Sequence, residues 1–200
     1  MLITLDGIDG GGKSTQLARL SEYLRQAGTQ VVSVRDPGGT PTGEAIRGLL
    51  LDSQLSMHRR CEAMLFMAAR CELVQSKIRP ALDAGQVVLS DRFLLANVVY
   101  QSVGGALAAD ELWNIGDWAN GGLRPDLTLL LDLPAEEALA RIDRPTDRME
   151  SRGLAYLQAV REAFLQQLPR SARHTAVIDA SQAPDQVHAQ IVQAIREWMV

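Results

Sequence analysis

Apolar positions along this chain follow two spacings. Short, nearly continuous apolar runs at residues 1–5, 31–34, 87–89, 127–133 and 175–178 read as strands. Between them apolar residues recur every three or four positions, as on one face of a helix. This periodicity predicts helices from residue 16 through 24 and at about 42–51, 59–84, 94–102, 109–120, 135–142, 154–168 and 184–199. The 59–84 stretch ends at Gly85, and Pro80 should bend its last turn because it has no N–H to give. The run at 127–133 is apolar almost throughout, as in a parallel strand covered on both faces. Strands alternating with helices predict a doubly wound, five-stranded parallel α/β sheet with right-handed crossovers and a single domain over residues 1–200. In such sheets ligands bind beyond the carboxyl ends of the strands, so the loops at 6–13, 35–40 and 91–93 should converge.

Composition refines this picture without changing it. At 200 residues, 46% hydrophobic and 22% charged, the chain resembles an ordinary globular domain. A net charge of −4 argues against non-specific nucleic-acid binding, which needs a basic surface. No apolar run approaches the roughly 20 residues of a membrane span, and the opening strand leaves no room for a signal peptide. Cys61 and Cys71 lie ten positions apart on one predicted helix. That separation is about 15 Å, too far for a disulfide, and suits thiols in a reducing cytoplasm. They have no His or Cys cluster around them that would suggest a metal site.

The chemistry begins at Gly7-Ile8-Asp9-Gly10-Gly11-Gly12-Lys13-Ser14, which fits G-x-x-x-x-G-K-[ST] between a strand and a helix. Glycines let backbone N–H groups turn inward around phosphate oxygens, Lys13 reaches the β/γ-phosphates, and Ser14 offers a hydroxyl to Mg²⁺. The segment, continuing to Thr15, predicts nucleoside triphosphate binding. Three loops also carry a cation at a strand's carboxyl end: Lys13, Arg35 and Arg92. One triphosphate rarely needs all three, so a second phosphate is expected, held in the bidentate manner of Arg. Asp91 stands where a P-loop protein holds Mg²⁺, and it could also cap the following helix. Phe66 and Arg70 share a helix face, suited to a planar base or equally to a core ring beside a snorkelling Arg. Asn97, Tyr100 and Gln101 fall at i, i+3 and i+4, with two amides suited to a base edge. Arg141, Arg144, Arg148 and Arg152 cluster around Pro145, either as a solvated face or as a lid that lowers charge onto phosphates.

Together these residues resemble the thymidylate kinase family over almost the whole chain. The segment Arg35-Asp36-Pro37-Gly38-Gly39-Thr40-Pro41 is similar to the family's R-E-P-G-G-T, with Asp36 in place of Glu. Asp91-Arg92-Phe93 with Tyr100-Gln101, Phe66 with Arg70, and Asp147-Arg148-Met149-Glu150 resemble its D-R-[YFH], A-Y-Q, F-x-x-x-R and lid D-R-x-E elements. Ile178-Asp179-Ala180 resembles the adenine-proximal loop.

The resemblance implies a P-loop kinase fold with helices on both faces of the sheet and a short lid at about 142–153. It implies transfer of the ATP γ-phosphoryl group to dTMP, with Mg²⁺, in a cytoplasmic homodimer. ATP would lie on Gly7, Asp9, Gly10, Gly11, Gly12, Lys13, Ser14 and Thr15, with metal at Ser14 and Asp91. dTMP would lie on Asp9, Arg35, Pro37, Phe66, Arg70, Arg92, Asn97, Tyr100 and Gln101. Within that set Asp9 would meet the sugar 3′-hydroxyl, Phe66 would stack on the base, Arg70 would bond its carbonyl edge, and Tyr100 would crowd the 2′ position. Lys13, Arg35, Arg92 and the lid's Arg148, alone or with Arg144 or Arg152, would serve transfer. Asp36 and Ala96 depart from the family's usual Glu and hydroxyl residue, which should shift contacts rather than remove a needed charge.

Nucleoside kinases and other monophosphate kinases share the P-loop but not the 35–40 segment. A GTPase-type switch would carry N-K-x-D, and no Asn here precedes Lys.

Overall fold

In the computed structural model, which describes residues 1–52, 54–105, 107–141 and 153–199, five parallel strands form one sheet. They are β1 (Leu2–Asp6), β2 (Val31–Arg35), β3 (Val87–Asp91), β4 (Leu127–Asp132) and β5 (His174–Asp179), in the order β2-β3-β1-β4-β5. Every residue of β1 is buried, as are all but the last of β3 and β4. Successive side chains point to opposite faces, so an unbroken buried run requires cover on both. The edge strand β5 is largely exposed.

The helices are α1 (Lys13–Gln26), α2 (Pro41–Leu51), α3 (Arg59–Leu73), α4 (Arg79–Asp83), α5 (Leu94–Ser102), α6 (Ala109–Ala119), α7 (Ala135–Arg141), α8 (Leu154–Gln167) and α9 (Pro184–Met199). The helix expected from 59 to 84 is divided into α3, a π-helical turn over Val74–Ile78, and α4. Pro80 gives no N–H and its ring crowds the carbonyl four residues back, so the wider turn takes up the misfit one turn before the proline. Thr40 caps α2 by accepting from Gly43 N at 2.9 Å, and Pro41 occupies the first turn, where a missing N–H does no harm.

The strands run beyond their apolar stretches to polar ends. β1 ends at Asp6, β2 at Arg35 and β3 at Asp91. Arg35 stands in register with Asp91, and Leu5 with Asp91 across the other side. From β1 the chain moves outward to β2, whereas from β3 it crosses past β1 to β4. The crevice between β1 and β3 is therefore the switch point where ligands are expected.

Candidate active site

The loop after β1 is shaped by glycines. Gly7 has φ 134°, and a Cβ there would lie 2.5 Å from the Leu131 carbonyl oxygen. Gly12, at φ 79°, precedes α1, whose first N–H groups receive no side-chain cap and so face an incoming anion. Gly10 and Gly11 lie between them, and Ser14 and Thr15 are exposed at the helix entrance. Lys13 is buried, donating to the Ile8 carbonyl at 2.8 Å and to Asp9 at 3.4 Å. Burial lowers its pKa and the charge of Arg92 adds to that, while Asp9 and Asp91 oppose it.

Arg92 is the centre of the site. It adopts φ 68°, a left-handed conformation that a non-glycine side chain occupies at a cost of about 1–3 kcal/mol. The turn carries its guanidinium across the crevice to Gly7 O at 3.0 Å and Asp9 at 2.6 Å, over the Tyr100 ring at 5.1 Å. Burial disfavours this charge, but Asp9, Tyr100, Asp91 and Asp6 outweigh it and raise the pKa. Burial also works against the Asp9 carboxylate, yet Arg92 and Lys13 hold it well below the usual range.

The Ser14 hydroxyl donates to Asp91 Oδ2 at 2.8 Å, joining the P-loop to the end of β3. A hydroxyl and a carboxylate oxygen converging at the helix entrance are hard donors. They fit Mg²⁺, which takes one or two such protein ligands together with phosphate oxygens and water. Beneath them Asp6 is fully buried, and neither of its oxygens has a hydrogen-bond partner among the described residues. Burial pushes its pKa up to about 6, against the pull of Arg92 and Lys13.

Beside the crevice lies a cavity of about 320 Å³ between α2, α3 and α5. Asp9, Asp36, Pro37, Arg47, Phe66, Arg70, Arg92, Asn97, Tyr100 and Gln101 line it, with Leu51, Phe93 and Ala96. Most of the residues expected around a second nucleotide thus share one space. Phe66 and Arg70 do lie on one helix face, but the Arg70 guanidinium sits over the ring of Phe93, 5.7 Å from its centroid. Arg70 is buried and donates through Nε to Asp36 at 2.5 Å and through Nη1 to Asn97 at 3.1 Å. The shorter side chain of Asp36 therefore meets Arg70 directly. Asn97 donates to Gln101 at 2.7 Å, and Tyr100 packs edge-on against Phe164.

Arg35 stands apart. It is half exposed, donates to both oxygens of Glu44 at 3.1 Å, and does not line the cavity. Arg47 lines it instead, donating to Pro37 O at 3.0 Å. Arg47 is a lining residue that the motifs of the sequence do not single out. Its position one turn beyond Gly43 on α2 was the available signal, because residues four apart share a face. Phe93 was read only as part of a motif. Arg141, grouped with the lid arginines, donates to the carbonyls of Ala180 at 2.9 Å and Ser181 at 3.3 Å in the loop after β5. Arg144, Arg148 and Arg152, with nearly all of the lid expected at 142–153, lie outside the described residues. No helix is long and apolar enough to cross a membrane among the described residues.

A family model described as Thymidylate kinase matches residues 5–191. The thymidylate kinase of Rhodopirellula baltica is 58% identical over 194 residues, covering 97% of this chain and 79% of the relative. Those of Chlorobium chlorochromatii and Ectopseudomonas mendocina are 42% and 45% identical, covering 98% and 96% of this chain and 94% and 92% of the relatives.

Proposed function

The chain belongs to the thymidylate kinase family, which phosphorylates dTMP to dTDP with ATP, and from that premise we propose how its residues divide the work. The observation that carries the proposal is Arg92, which spans the crevice between the phosphate loop and the cavity. ATP phosphates lie on Gly7, Asp9, Gly10–Gly12, Lys13, Ser14 and Thr15. Mg²⁺ held by Ser14 and Asp91 would neutralise charge on the β- and γ-phosphates. dTMP occupies the cavity, its base between Phe66 and the Arg70–Asn97–Gln101 group and its 5′-phosphate toward Arg92. Arg47 is the second cation placed for that phosphate, and Arg35 joins if it leaves Glu44. Pro37 packs beside the nucleotide, Asp9 faces the sugar 3′-hydroxyl, and Tyr100 crowds its 2′ position. Arg148 is proposed to act from the lid.

The nucleophile is a phosphate oxygen already anionic at neutral pH, so the site needs no strong base. Its task is to bring two polyanions together. Two unit charges 4 Å apart repel by about 4 kcal/mol at an effective dielectric of 20, a repulsion that Lys13, Arg92 and Arg47 offset.

We extend the proposal to a homodimer in the cytoplasm. Met64 on α3 and Ile115 and Trp118 on α6 expose apolar side chains, Trp118 at 82%, and Cys61 and Cys71 are free thiols. Light scattering behind gel filtration tests the dimer.

The function is tested by ADP release with ATP and Mg²⁺ on dTMP, dUMP, dCMP, dAMP, dGMP and thymidine. Preferred turnover of dTMP is expected, whereas preferred turnover of thymidine would overturn the acceptor site.

A further inference from the structure

Behind the cavity a chain of buried polar groups runs in one direction. Arg70 donates to Asn97 Oδ1 at 3.1 Å, Asn97 donates to Gln101 Oε1 at 2.7 Å, and Gln101 donates to Glu62 Oε1 at 2.8 Å. Glu62 is buried on α3, with Arg59 3.8 Å away, one turn earlier. Nothing in the acceptor-site assignment above uses it.

The two ends of this chain dictate its middle. A guanidinium has no acceptor and a carboxylate has no donor. An amide alone can turn either way, but two amides strung between a donor-only end and an acceptor-only end must stand head to tail. We propose that Glu62 is a positioning residue that fixes the hydrogen-bond polarity of the acceptor-base site, making it select a 4-oxo pyrimidine carrying N3–H over a 4-amino pyrimidine. This rests on the assignment of the cavity to the acceptor base.

The selection follows from what remains free. Arg70 Nη2 has no hydrogen-bond partner among the described residues, so it can donate toward a 4-oxo group. The amide oxygens of Asn97 and Gln101 each keep a second lone pair, so one can accept from N3–H. A cytosine ring reverses both positions, offering an amino donor to Arg70 and an unprotonated N3 to an amide oxygen. If Glu62 could donate, the Gln101 amide could turn over and present N–H to the base.

The experiment measures kcat/KM for dTMP and dCMP in the wild type, in Glu62→Gln, and in the double variant Glu62→Gln/Gln101→Glu, each first checked for folding by circular dichroism. In Glu62→Gln the dTMP:dCMP ratio is expected to fall about 10–100-fold, mostly through KM, because one mispaired buried group is relieved for dCMP and created for dTMP. The double variant restores an acceptor-only group at position 101, with the amide introduced on α3 donating to it, so the ratio should return toward that of the wild type. A ratio unchanged in Glu62→Gln, with both substrates losing equally, overturns the proposal and leaves Glu62 a purely structural residue. Should Glu62→Gln not fold, the double variant decides: a dTMP preference supports the polarity argument and a dCMP preference overturns it. Failure of the wild type to turn over dTMP at all would instead refute the acceptor-site assignment itself.

Discussion

Asp6 offers a quantitative test of how the site's charges are balanced. Its carboxyl is fully buried beneath the phosphate loop, and its pKa is raised from 3.8 to about 6 by that burial. Between those two values the unfolded chain has released its proton and the folded protein still holds it. The folded state binds more protons there, so stability falls as pH rises through the window and is level above it. Two pKa units correspond to about 3 kcal/mol. Replacing Asp6 by Asn removes the titration and keeps the shape. The assay is urea unfolding of both proteins from pH 3.5 to 8 without nucleotide or Mg²⁺. Titrating groups not coupled to Asp6 cancel in the difference between the two curves. The wild type should lose about 3 kcal/mol relative to Asp6→Asn between pH 4 and 7. A difference that does not change with pH would refute the reasoning, since it would mean that Lys13 and Arg92 fully compensate the buried charge.

Arg92→Ala should lower kcat with dTMP on the order of 10³-fold, because it removes the cation that joins the two substrate spaces; steady-state kinetics at saturating ATP would contradict this if turnover were retained. Gly10→Ala would set a Cβ 2.5 Å from the Ala138 carbonyl at φ 83°. It should abolish ATP binding, measured calorimetrically, even where circular dichroism finds the fold intact. Asp36→Ala leaves the buried Arg70 without its carboxylate and should destabilise the protein by about 3–5 kcal/mol in chemical denaturation. A loss below about 1 kcal/mol would mean that Asn97 and water suffice to hold the guanidinium.

Much of the fold was legible because its signals are local. A run of β-branched and aliphatic residues, a glycine-rich turn and a helical spacing each express short-range sterics, so the five strands and the phosphate loop could be read in order. The π turn at Val74–Ile78 was not legible, since Pro80 marks a disturbance without saying which turn absorbs it. Individual roles were less legible than positions. Arg35 and Arg47 are both basic residues near one motif, yet Arg35 turns to Glu44 while Arg47 enters the cavity. Only the path of α2 separates them.

The sequence by itself determined the alternation of strand and helix, the anion-binding loop and the set of charged residues at the strand ends. These depend on backbone preferences and on hydrophobic spacing within a few residues. The tertiary structure alone decided which polar and charged groups face each other: Arg92 against Asp9, Ser14 against Asp91, and the one-way relay from Arg70 to Glu62. Apart from the Asn97–Gln101 step within α5, each of these contacts joins residues tens of positions apart, and electrostatic strength depends on distance and on exclusion of water. Both quantities come into being only when the sheet brings β1 beside β3 and the helices close over their carboxyl ends.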